Sequence, residues 1–324
     1  MSWESAAALK RQTPLQQYLE SQHWKPVRRM AGGRLLGLCP LHPDRQPSFL
    51  VDPARSLFYC YGCGRGGDVI RFVELYHGVR FAQAMALLRA SSASATLLKD
   101  AASFYHDRLV QHPEAIEYLQ QRGIRQPEVI DELAVGYASG GRRLRHWLLT
   151  LGYSLEELQQ SGLVNAAGYD AFRHRITFPL EANLYGRATG QAAPHRFLPA
   201  PKGGLYRWNR VRHCPDLILV EGLFDLASLC QAGFRNVTCS MGSRLNAAQL
   251  AQLCDDIRRT VYVAFDSDIN GSGQAAALQL ADVLSGRGLA VCQVGLPHGH
   301  DPNSFFVNGG SADQFRRWLR EARP

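Results

Sequence analysis

The sequence lacks the long apolar run that a membrane-spanning helix requires. Although 46% of its residues are hydrophobic, no stretch approaches the roughly 18 consecutive apolar residues needed to cross a bilayer. The N-terminus "MSWESAAALKRQTPLQQYLE" also lacks a basic start followed by an apolar segment, so it does not resemble a secretory signal. We therefore expect a cytoplasmic protein that does not insert into membranes.

The sequence is also poor in repeats and low-complexity tracts. We find no internal repeat of solenoid length, and the one biased stretch is "LRASSASATLLKD". Its serines interrupt an apolar helical pattern and predict a linker at about 90–96. The length of 324 residues is sufficient for two or three compact units, each with its own core.

The chain carries an excess of positive charge. Lysine and arginine together number 36 against 28 acidic residues, which gives a formal net charge of +8. Most of these cations are arginines, whose planar guanidinium groups suit phosphate oxygens. A polyanionic partner fits this balance, although many basic proteins bind no nucleic acid.

The N-terminal two thirds of the chain alternate between helical and strand-like patterns. Apolar spacing in "DVIRFVELYHGVRFAQAMALL" predicts a helix pair that is interrupted at Gly78. From about 97 to 165 the pattern is helical, and "PEAIEYLQQRG" and "SLEELQQSG" each end on a glycine placed as a helix stop. The following stretch, "RHRITFPLEANLYGRATGQ", predicts short strands around a turn at 183–186.

From about residue 214, strands and helices alternate regularly. The strand-like segments "LILVEG", "NVTCSMG", "TVYVAFDSD" and "LAVCQVGLP" are separated by helical segments. These strands are nearly continuous apolar runs, as expected when helices cover both faces of a sheet. The pattern predicts a small parallel α/β sheet.

Eight cysteines occur in the chain, and three of them lie in two close pairs of potential metal ligands. Cys39-x2-His42 and Cys60-x2-Cys63 are separated by seventeen residues. Three thiolates and one imidazole match a closed, structural zinc site, with iron–sulfur ligation or unrelated buried cysteines as alternatives. The other cysteines lie in apolar patterns and are interpreted as core residues: Cys214, Cys230, Cys239, Cys254 and Cys292.

The segment around the cysteines interleaves cations with aromatic rings. Such a surface can stack on unpaired bases while it holds phosphates. The alternative is that several of the rings form the small core of the ribbon itself. The residues concerned are Arg45, Phe49, Arg55, Phe58, Tyr59, Tyr61 and Arg65.

Carboxylates follow two of the predicted parallel strands. Glu221-Gly222 ends "LILVEG", with Asp225 three residues later, and "VYVAFDSD" ends with Asp266 and Asp268. Two aspartates spaced in this way point to the same face, at the sheet edge where open α/β sheets place ligands. Oxygen ligands favour Mg²⁺ or Mn²⁺, and the glycine would allow a ligand to approach the backbone. The alternative is that the acids cap the following helices.

These motifs resemble a known family. E-G-x-x-D at 221–225, followed about forty residues later by D-x-D, is similar to a Toprim domain, and "CPLHPDRQPSFLVDP…FYCYGCGRGGDVIRF" resembles the zinc ribbon of DnaG-type bacterial primases. The resemblance implies an α/β and α+β multidomain fold. We expect a zinc-ribbon domain at 1–92, a mixed basic subdomain at 97–212 and a Toprim-type parallel α/β sheet at 213–324.

The resemblance also implies roles for individual residues. "FRHRITFPL" and "HRFLPAPKGGLYRWN" resemble basic segments of the family, which implies phosphate contacts for Arg173, Arg175, Arg196 and Lys202. "GHDPNSFFVNGG" resembles a further acidic motif in which Asp301 fits as a metal ligand, whereas Asn303 replaces a common second aspartate. The nucleic-acid or nucleotide-binding group further includes Asp225, Arg45 and Arg65.

The function implied is RNA primer synthesis on single-stranded DNA. Zn²⁺ would be structural, and Mg²⁺ or Mn²⁺ held by Glu221, Asp266 and Asp268 would be catalytic. The resemblance implies nucleoside triphosphates as substrates and a helicase or replication initiator as a possible partner. We expect a minimal form without a helicase-binding domain, as carried by plasmids, conjugative elements or phages. The alternatives are a Toprim-type nuclease and a non-catalytic single-strand-binding or regulatory protein.

Overall fold

The structure is a computed structural model that describes residues 3–22, 24–190, 194–267 and 272–322. It divides into two compact units, Met1–Leu97 and Leu98–Pro324. Among the residues described, no helix is both long enough and apolar enough to cross a membrane. The α/β and α+β fold class expected from the sequence is confirmed by the three sheets and their flanking helices.

The first unit is built on a five-stranded antiparallel sheet with the strand order β1-β2-β3-β4-β5. Burial alternates along β3 and β4, so that Phe49 and Phe58 point inward and stack on each other at 5.1 Å. Phe72 of the third helix contacts the Phe58 ring edge to face at 5.5 Å. The elements are α1 (Trp3–Gln12), α2 (Leu15–Ser21), β1 (Pro26–Arg29), β2 (Leu35–Gly37), β3 (Phe49–Asp52), β4 (Leu57–Cys60), β5 (Gly66–Gly67) and α3 (Val69–His77).

The predicted helix pair is confirmed, but the predicted linker is wrong. Asp68 caps α3 by accepting the N–H groups of Ile70 and Arg71, and Gly78 ends it at φ +65°. Helix α4 then runs without interruption over Phe81–Leu109, through the serine-rich stretch at 90–96. This stretch contains no glycine or proline, and alanines alternate with the serines. Serine costs a helix only a few tenths of a kcal/mol relative to alanine, so about 90–96 stays helical.

The N-terminal half of the second unit combines short helices with a four-stranded antiparallel sheet of order β6-β7-β8-β9. Both predicted helix stops are confirmed, since Gly123 and Gly162 follow helices at φ +74° and +76°. The elements are α5 (Pro113–Gln121), α6 (Pro127–Glu132), β6 (Gly136–Ala138), α7 (Arg143–Thr150), α8 (Leu155–Gln160), β7 (Arg175–Pro179), β8 (Leu184–Ala188) and β9 (Arg196–Phe197).

The hairpin between β7 and β8 turns earlier than the sequence predicts. Its loop occupies 180–183, and Gly186 lies within β8, opposite Thr177. Asn183 is fully buried and organises the loop, because its side chain accepts the N–H of Leu198 and donates to the carbonyl of Ala200. The asparagine signal that predicted a turn therefore marks the last loop residue rather than the first.

The C-terminal half of the second unit contains the predicted parallel sheet, with the strand order β11-β10-β12-β13. Its strands have both faces covered, which explains their continuous apolar runs. The elements are α9 (Trp208–Val211), β10 (Asp216–Val220), α10 (Leu223–Gln231), β11 (Val237–Cys239), α11 (Ala247–Leu253), β12 (Thr260–Val263), α12 (Ser272–Ser285), β13 (Ala290–Gln293), α13 (Pro302–Val307) and α14 (Ala312–Glu321).

Candidate active site and zinc centre

The two ligand pairs of the first unit converge on one point. The potential ligand atoms of Cys39, His42, Cys60 and Cys63 all lie within 4.8 Å of one another. Cys39 follows β2 and Cys60 ends β4, so the sheet brings the pairs together. Zinc–sulfur bonds of about 2.3 Å in a tetrahedron place neighbouring ligand atoms within this range. The donor set therefore fits a structural zinc ion with four protein ligands, as the sequence predicts.

Hydrogen bonds from nearby groups orient these ligands. The N–H of Cys63 points to the Cys60 sulfur at 3.4 Å, and the Ser48 hydroxyl lies 3.3 Å from the same sulfur. Asp44 accepts the N–H of Cys39 at 2.9 Å and the hydroxyl of Ser48 at 2.6 Å. Such outer partners hold the ligands in the geometry that the metal requires.

The aromatic residues of the ribbon divide between core and surface. Phe49 and Phe58 are buried, whereas Tyr59 and Tyr61 are 46% and 70% exposed and contact each other edge to face at 5.1 Å. The core interpretation is therefore confirmed for the two phenylalanines, whereas base stacking by the two exposed tyrosines stays a prediction. Three arginines of the same sequence segment are also exposed: Arg45, Arg55 and Arg65. Arg65 donates to the carbonyl of Leu41.

Two of the predicted catalytic acids lie at the carboxyl ends of neighbouring strands. Glu221 directly follows β10, and Asp266 lies three residues beyond β12, with Leu219 opposite Val263 in the register. Both side chains are half-buried. The third predicted acid, Asp268, lies outside the described residues.

Asp301 reaches the same edge through the loop that precedes α13. The N–H of Ser267 donates to the carbonyl of His300 at 2.9 Å, which ties this loop to the segment after β12. Asp301 caps α13 by accepting the N–H of Ser304. The Asp225 carboxyl adds evidence for proximity: burial raises its pKa well above the usual value, and Asp301 and Asp266 raise it further.

Asp225 is a positioning residue in this geometry. It is fully buried, one oxygen accepts the N–H of Gly222 at 2.9 Å, and the other accepts the N–H of Asn303 at 3.0 Å. The alternative from the sequence, that this acid caps the following helix, therefore describes its contact with Gly222. A Cβ on Gly222 would lie 2.5 Å from the Asp225 carboxylate, so the glycine accommodates this side chain. That the glycine also allows a ligand to approach the backbone stays a prediction.

The acidic edge fits a divalent cation. Glu221, Asp266 and Asp301 offer only oxygen ligands, which Mg²⁺ and Mn²⁺ prefer. The raised pKa of Asp225 reflects negative charges of neighbouring acids as well as burial, and a divalent cation would offset that repulsion.

The predicted basic residues gather on the antiparallel sheet. Arg175 donates to the carbonyls of Gly186 and Pro194, and Arg196 donates to the carbonyl of Ala171. The pKa of Arg175 is lowered by burial and by the charge of Arg196, which shows that the two cations are close. Arg173 is exposed.

Lys202 connects this basic group to the acidic edge. Its ammonium lies 4.8 Å from the ring centre of Phe197 and donates to the carbonyl of Met241 at 3.0 Å. The next residue, Gly242, donates its N–H to the carbonyl of Glu221 at 3.0 Å. The Lys202 ammonium and the backbone of Glu221 therefore contact the same loop, the one that follows β11.

Known protein families match most of the chain. Residues 4–103 match the CHC2 zinc finger, 104–198 the N-terminal domain of the DNA primase catalytic core, and 218–306 the Toprim-like family. The chain thus carries, in this order, the three domains of a DnaG-type primase core. Structural zinc is accordingly assigned to the CHC2 ribbon. The resemblance to DnaG-type primases that the sequence motifs indicated is confirmed.

Individual members of the family resemble the chain over most of its length. The DNA primase of Aquifex aeolicus is 30% identical over 317 residues, covering 88% of this chain and 63% of the relative. That of Clostridium acetobutylicum is 31% identical over 332 residues, covering 90% and 54%. The crystal structure of the zinc-binding and RNA polymerase domains of the Aquifex aeolicus primase matches with a TM-score of 0.65 at 27% identity, covering 99% of this chain and 86% of that one. The chain thus spans 54–63% of the length of these two curated relatives.

Asn303 stands where the family resemblance implies a second aspartate, and its side chain forms hydrogen bonds within the protein. It is buried, and its amide nitrogen donates to the carbonyl of Arg122 at 2.7 Å and to the hydroxyl of Ser228 at 2.8 Å. A carboxylate at this position would face the Arg122 carbonyl without a proton to donate. Asparagine therefore suits its surroundings.

We expect Asn303→Asp to lower the free energy of unfolding by about 3 kcal/mol, because two buried donors are lost and a charge is added next to Asp225. Urea denaturation followed by circular dichroism measures the change. The control Asn308→Asp makes the same chemical change at an exposed position and should cost less than about 1 kcal/mol. Equal effects of the two substitutions would contradict this account of Asn303.

Two members of the basic group were missed from the sequence. The pKa of His195 is lowered by burial and then by the charges of Lys202, Arg187 and Arg175, so Arg187 and His195 belong to the same group. A signal was present, because Arg187 lies in the strand predicted to pair with that of Arg175. Strand pairing brings the two strands together, but the register pairs Arg187 with Ile176 and Arg175 with Ala188, so pairing alone does not place the two arginines side by side.

Proposed function

We propose that the chain synthesises RNA primers on single-stranded DNA by metal-dependent nucleotidyl transfer. The observation that best supports this is the loop after β11, where Lys202 binds the carbonyl of Met241 and Gly242 binds the carbonyl of Glu221. A triphosphate that reaches Lys202 is thereby brought beside the acidic edge. Adjacent cations and carboxylates are what phosphoryl chemistry requires, since one group binds the substrate and the other holds the metal.

The acidic residues would hold the catalytic metal ion. Glu221, Asp266 and Asp301, with Asp268 as a further predicted ligand, would hold Mg²⁺ or Mn²⁺. When bound, the cation lowers the pKa of the primer 3′-hydroxyl and stabilises charge on the α-phosphoryl group. Asp225 fixes the Gly222 backbone beside Glu221, so that this ligand is held in place.

The basic group would bind phosphates of the template or the incoming nucleotide. It comprises the four predicted cations and the two found in the structure. Arg175 and Arg196 are anchored through carbonyl oxygens, so their guanidinium planes are oriented before a ligand arrives. The members are Arg173, Arg175, Arg187, His195, Arg196 and Lys202.

The zinc ribbon would hold unpaired template bases. Tyr61 and Tyr59 expose their rings, and Arg45 and Arg65 supply charge for the backbone. The zinc ion, with all four positions occupied by protein ligands, would maintain this surface and take no part in chemistry.

We expect Tyr61→Ala to weaken binding of single-stranded DNA by about 2 kcal/mol, or thirtyfold in Kd, because one base loses its stacking surface. Tyr61→Phe keeps the ring and should bind within about twofold of the unsubstituted protein. Fluorescence anisotropy with a labelled oligonucleotide measures both. Identical affinities for the two variants would show that the exposed ring stacks on no base.

A primer-synthesis assay on single-stranded templates tests the proposed function directly. The protein is incubated with labelled nucleoside triphosphates, Mg²⁺ or Mn²⁺, and single-stranded templates of varied sequence, and the products are sized. Template-dependent short RNA is expected. Cleavage of labelled single-stranded DNA without nucleotides would favour the nuclease, and binding without incorporation would favour the non-catalytic protein.

Several finer expectations stay predictions. These are the preference for ribonucleotides, the helicase or replication initiator as partner, the cytoplasmic location and the origin in a mobile element. The incorporation assay with ribo- and deoxyribonucleotides in parallel tests the first of them.

A further inference from the structure

One residue of the loop after β11 has a backbone conformation that its side chain disfavours. Met241 adopts φ +57°, in the left-handed region, which residues with a Cβ rarely occupy. Its side chain is 6% exposed and belongs to the buried cluster that includes Val220 and Phe224. Such a conformation persists only where surrounding contacts hold it, and residues of this kind concentrate at functional sites.

Hydrogen bonds to neighbouring elements hold the backbone before this residue. The Met241 N–H donates to the sulfur of Cys239 at 3.2 Å, and the Cys239 thiol donates to the carbonyl of Glu221, directly after β10, at 3.1 Å. The Gln249 amide, on α11, donates to the carbonyl of Ser240 at 2.9 Å. The end of β10 and helix α11 therefore fix the direction in which the chain enters Met241.

The next peptide group lies between two members of the candidate site. Its oxygen, the Met241 carbonyl, accepts a hydrogen bond from the Lys202 ammonium at 3.0 Å. Its N–H, that of Gly242, donates to the carbonyl of Glu221 at 3.0 Å. Because a trans peptide group is planar, its oxygen and hydrogen point in opposite directions. One rigid plane thus joins the predicted phosphate-binding lysine to the backbone of a predicted metal ligand.

The Lys202 ammonium is held in place and retains donors for a ligand. An ammonium has three N–H donors, and the structure directs one of them to the Met241 carbonyl. The Phe197 ring, whose centre lies 4.8 Å from the nitrogen, supports the side chain without neutralising it. A Cβ on Gly242 would lie 3.7 Å from the same nitrogen, so the ammonium lies against this peptide group.

We propose that Met241 is a positioning residue for the nucleotide: its left-handed backbone orients the 241–242 peptide group so that the carbonyl anchors Lys202 and the N–H anchors Glu221. A lysine side chain that is already immobilised loses less conformational entropy when it binds a phosphate. The packed methionine side chain keeps the loop in this conformation, which a glycine would be free to leave. The inference rests on the proposed function in taking Lys202 to bind a nucleotide phosphate.

The test measures equilibrium binding of a labelled nucleoside triphosphate with Mg²⁺ and without template. Met241→Ile and Met241→Leu introduce isomeric side chains, but only isoleucine is branched at Cβ and therefore strongly disfavoured in the left-handed region. We expect about tenfold weaker binding by the isoleucine variant, because Lys202 loses its anchor. The conservative leucine variant should stay within about threefold of the unsubstituted protein.

Met241→Gly separates backbone conformation from packing. Glycine adopts the left-handed conformation without strain but leaves a cavity in the core. This variant should therefore have the lowest Tm of the three and yet bind triphosphate within about threefold of the unsubstituted protein. A role in packing alone predicts that the glycine variant binds most weakly, and that result would overturn the proposal even where the isoleucine variant does not fold. Equal affinities of the leucine and isoleucine variants would also overturn it.

A double-substitution cycle tests whether Met241 acts through Lys202. In the background Lys202→Met, which removes the ammonium, Met241→Ile should change triphosphate affinity less than about twofold, because the group that it positions is absent. A tenfold loss that persists in this background would show that Met241 acts by another route and would contradict the assigned role.

The positioning role and the proposed function fail in different measurements. The binding experiment contains no template and requires no synthesis, so a protein that makes no primers can still bind triphosphate in a manner that depends on Met241. Conversely, primer synthesis by a Met241→Ile variant with unaltered triphosphate affinity would leave the function intact and remove the positioning role.

Discussion

Asp266→Asn is expected to lower nucleotide incorporation by about 10³-fold, equivalent to about 4 kcal/mol of transition-state stabilisation. Asp266 and Glu221 lie at the ends of adjacent parallel strands, where their oxygens would hold the divalent cation. An amide keeps the shape of the side chain but removes the charge that a hard cation requires. Single-turnover incorporation on a fixed template measures the loss.

Binding measurements separate this effect from misfolding. Affinity for single-stranded DNA without nucleotides should stay within about twofold, because phosphate contacts belong to the basic group. Mg²⁺ should raise the Tm of the unsubstituted protein and raise that of the variant less, since ligand binding stabilises the folded state.

The matched control for Asp266 is Asp282→Asn. Asp282 is exposed on α12 and undergoes the same change of charge. Incorporation by the control should be close to that of the unsubstituted protein. Retained synthesis by the Asp266 variant would remove the metal assignment.

Cys60→Ser is expected to reduce bound zinc from about one ion per chain to near zero. The serine hydroxyl does not replace a thiolate as a zinc ligand, and the remaining Cys39, His42 and Cys63 leave the tetrahedron incomplete. Because metal binding and folding of such ribbons are coupled, the first unit should lose its cooperative unfolding transition. Elemental analysis and thermal denaturation provide the two measurements.

The control for this substitution is Cys254→Ser. Cys254 lies at the end of α11, away from the ligand cluster, and should leave the zinc content unchanged. Template-dependent initiation should fall in the Cys60 variant, because the tyrosine surface of the ribbon depends on the fold. An undiminished zinc content in that variant would contradict the assignment of this ligand.

Local patterns in the sequence were sufficient to predict most secondary structure of the second unit. The apolar runs of β10 and β12 and the glycine stops at Gly123 and Gly162 reflect forces that act within a few residues. The linker at 90–96 was mispredicted because serine clusters occur both in linkers and in helices, and the absence of glycine and proline was the stronger signal. The displaced hairpin turn depended on burial of Asn183, which local sequence does not reveal.

The candidate site was predictable only in part. Metal-ligand spacing identified the zinc cluster, since two close pairs can bind one ion whatever the intervening fold. The placement of Glu221 and Asp266 at one edge of the sheet followed from the rule that parallel strands end at the same edge. The contact of Asp225 with Asn303 did not follow, because it joins segments 78 residues apart.

The sequence by itself determined the zinc ligands, the parallel sheet and the acids at its edge, because ligand spacing and hydrophobic period are local properties. Only the tertiary structure decided that Asn303 is held by Arg122 and Ser228, and that Lys202 and the backbone of Glu221 contact the same loop after β11. Those arrangements depend on which distant segments pack together, and packing is a property of the whole chain.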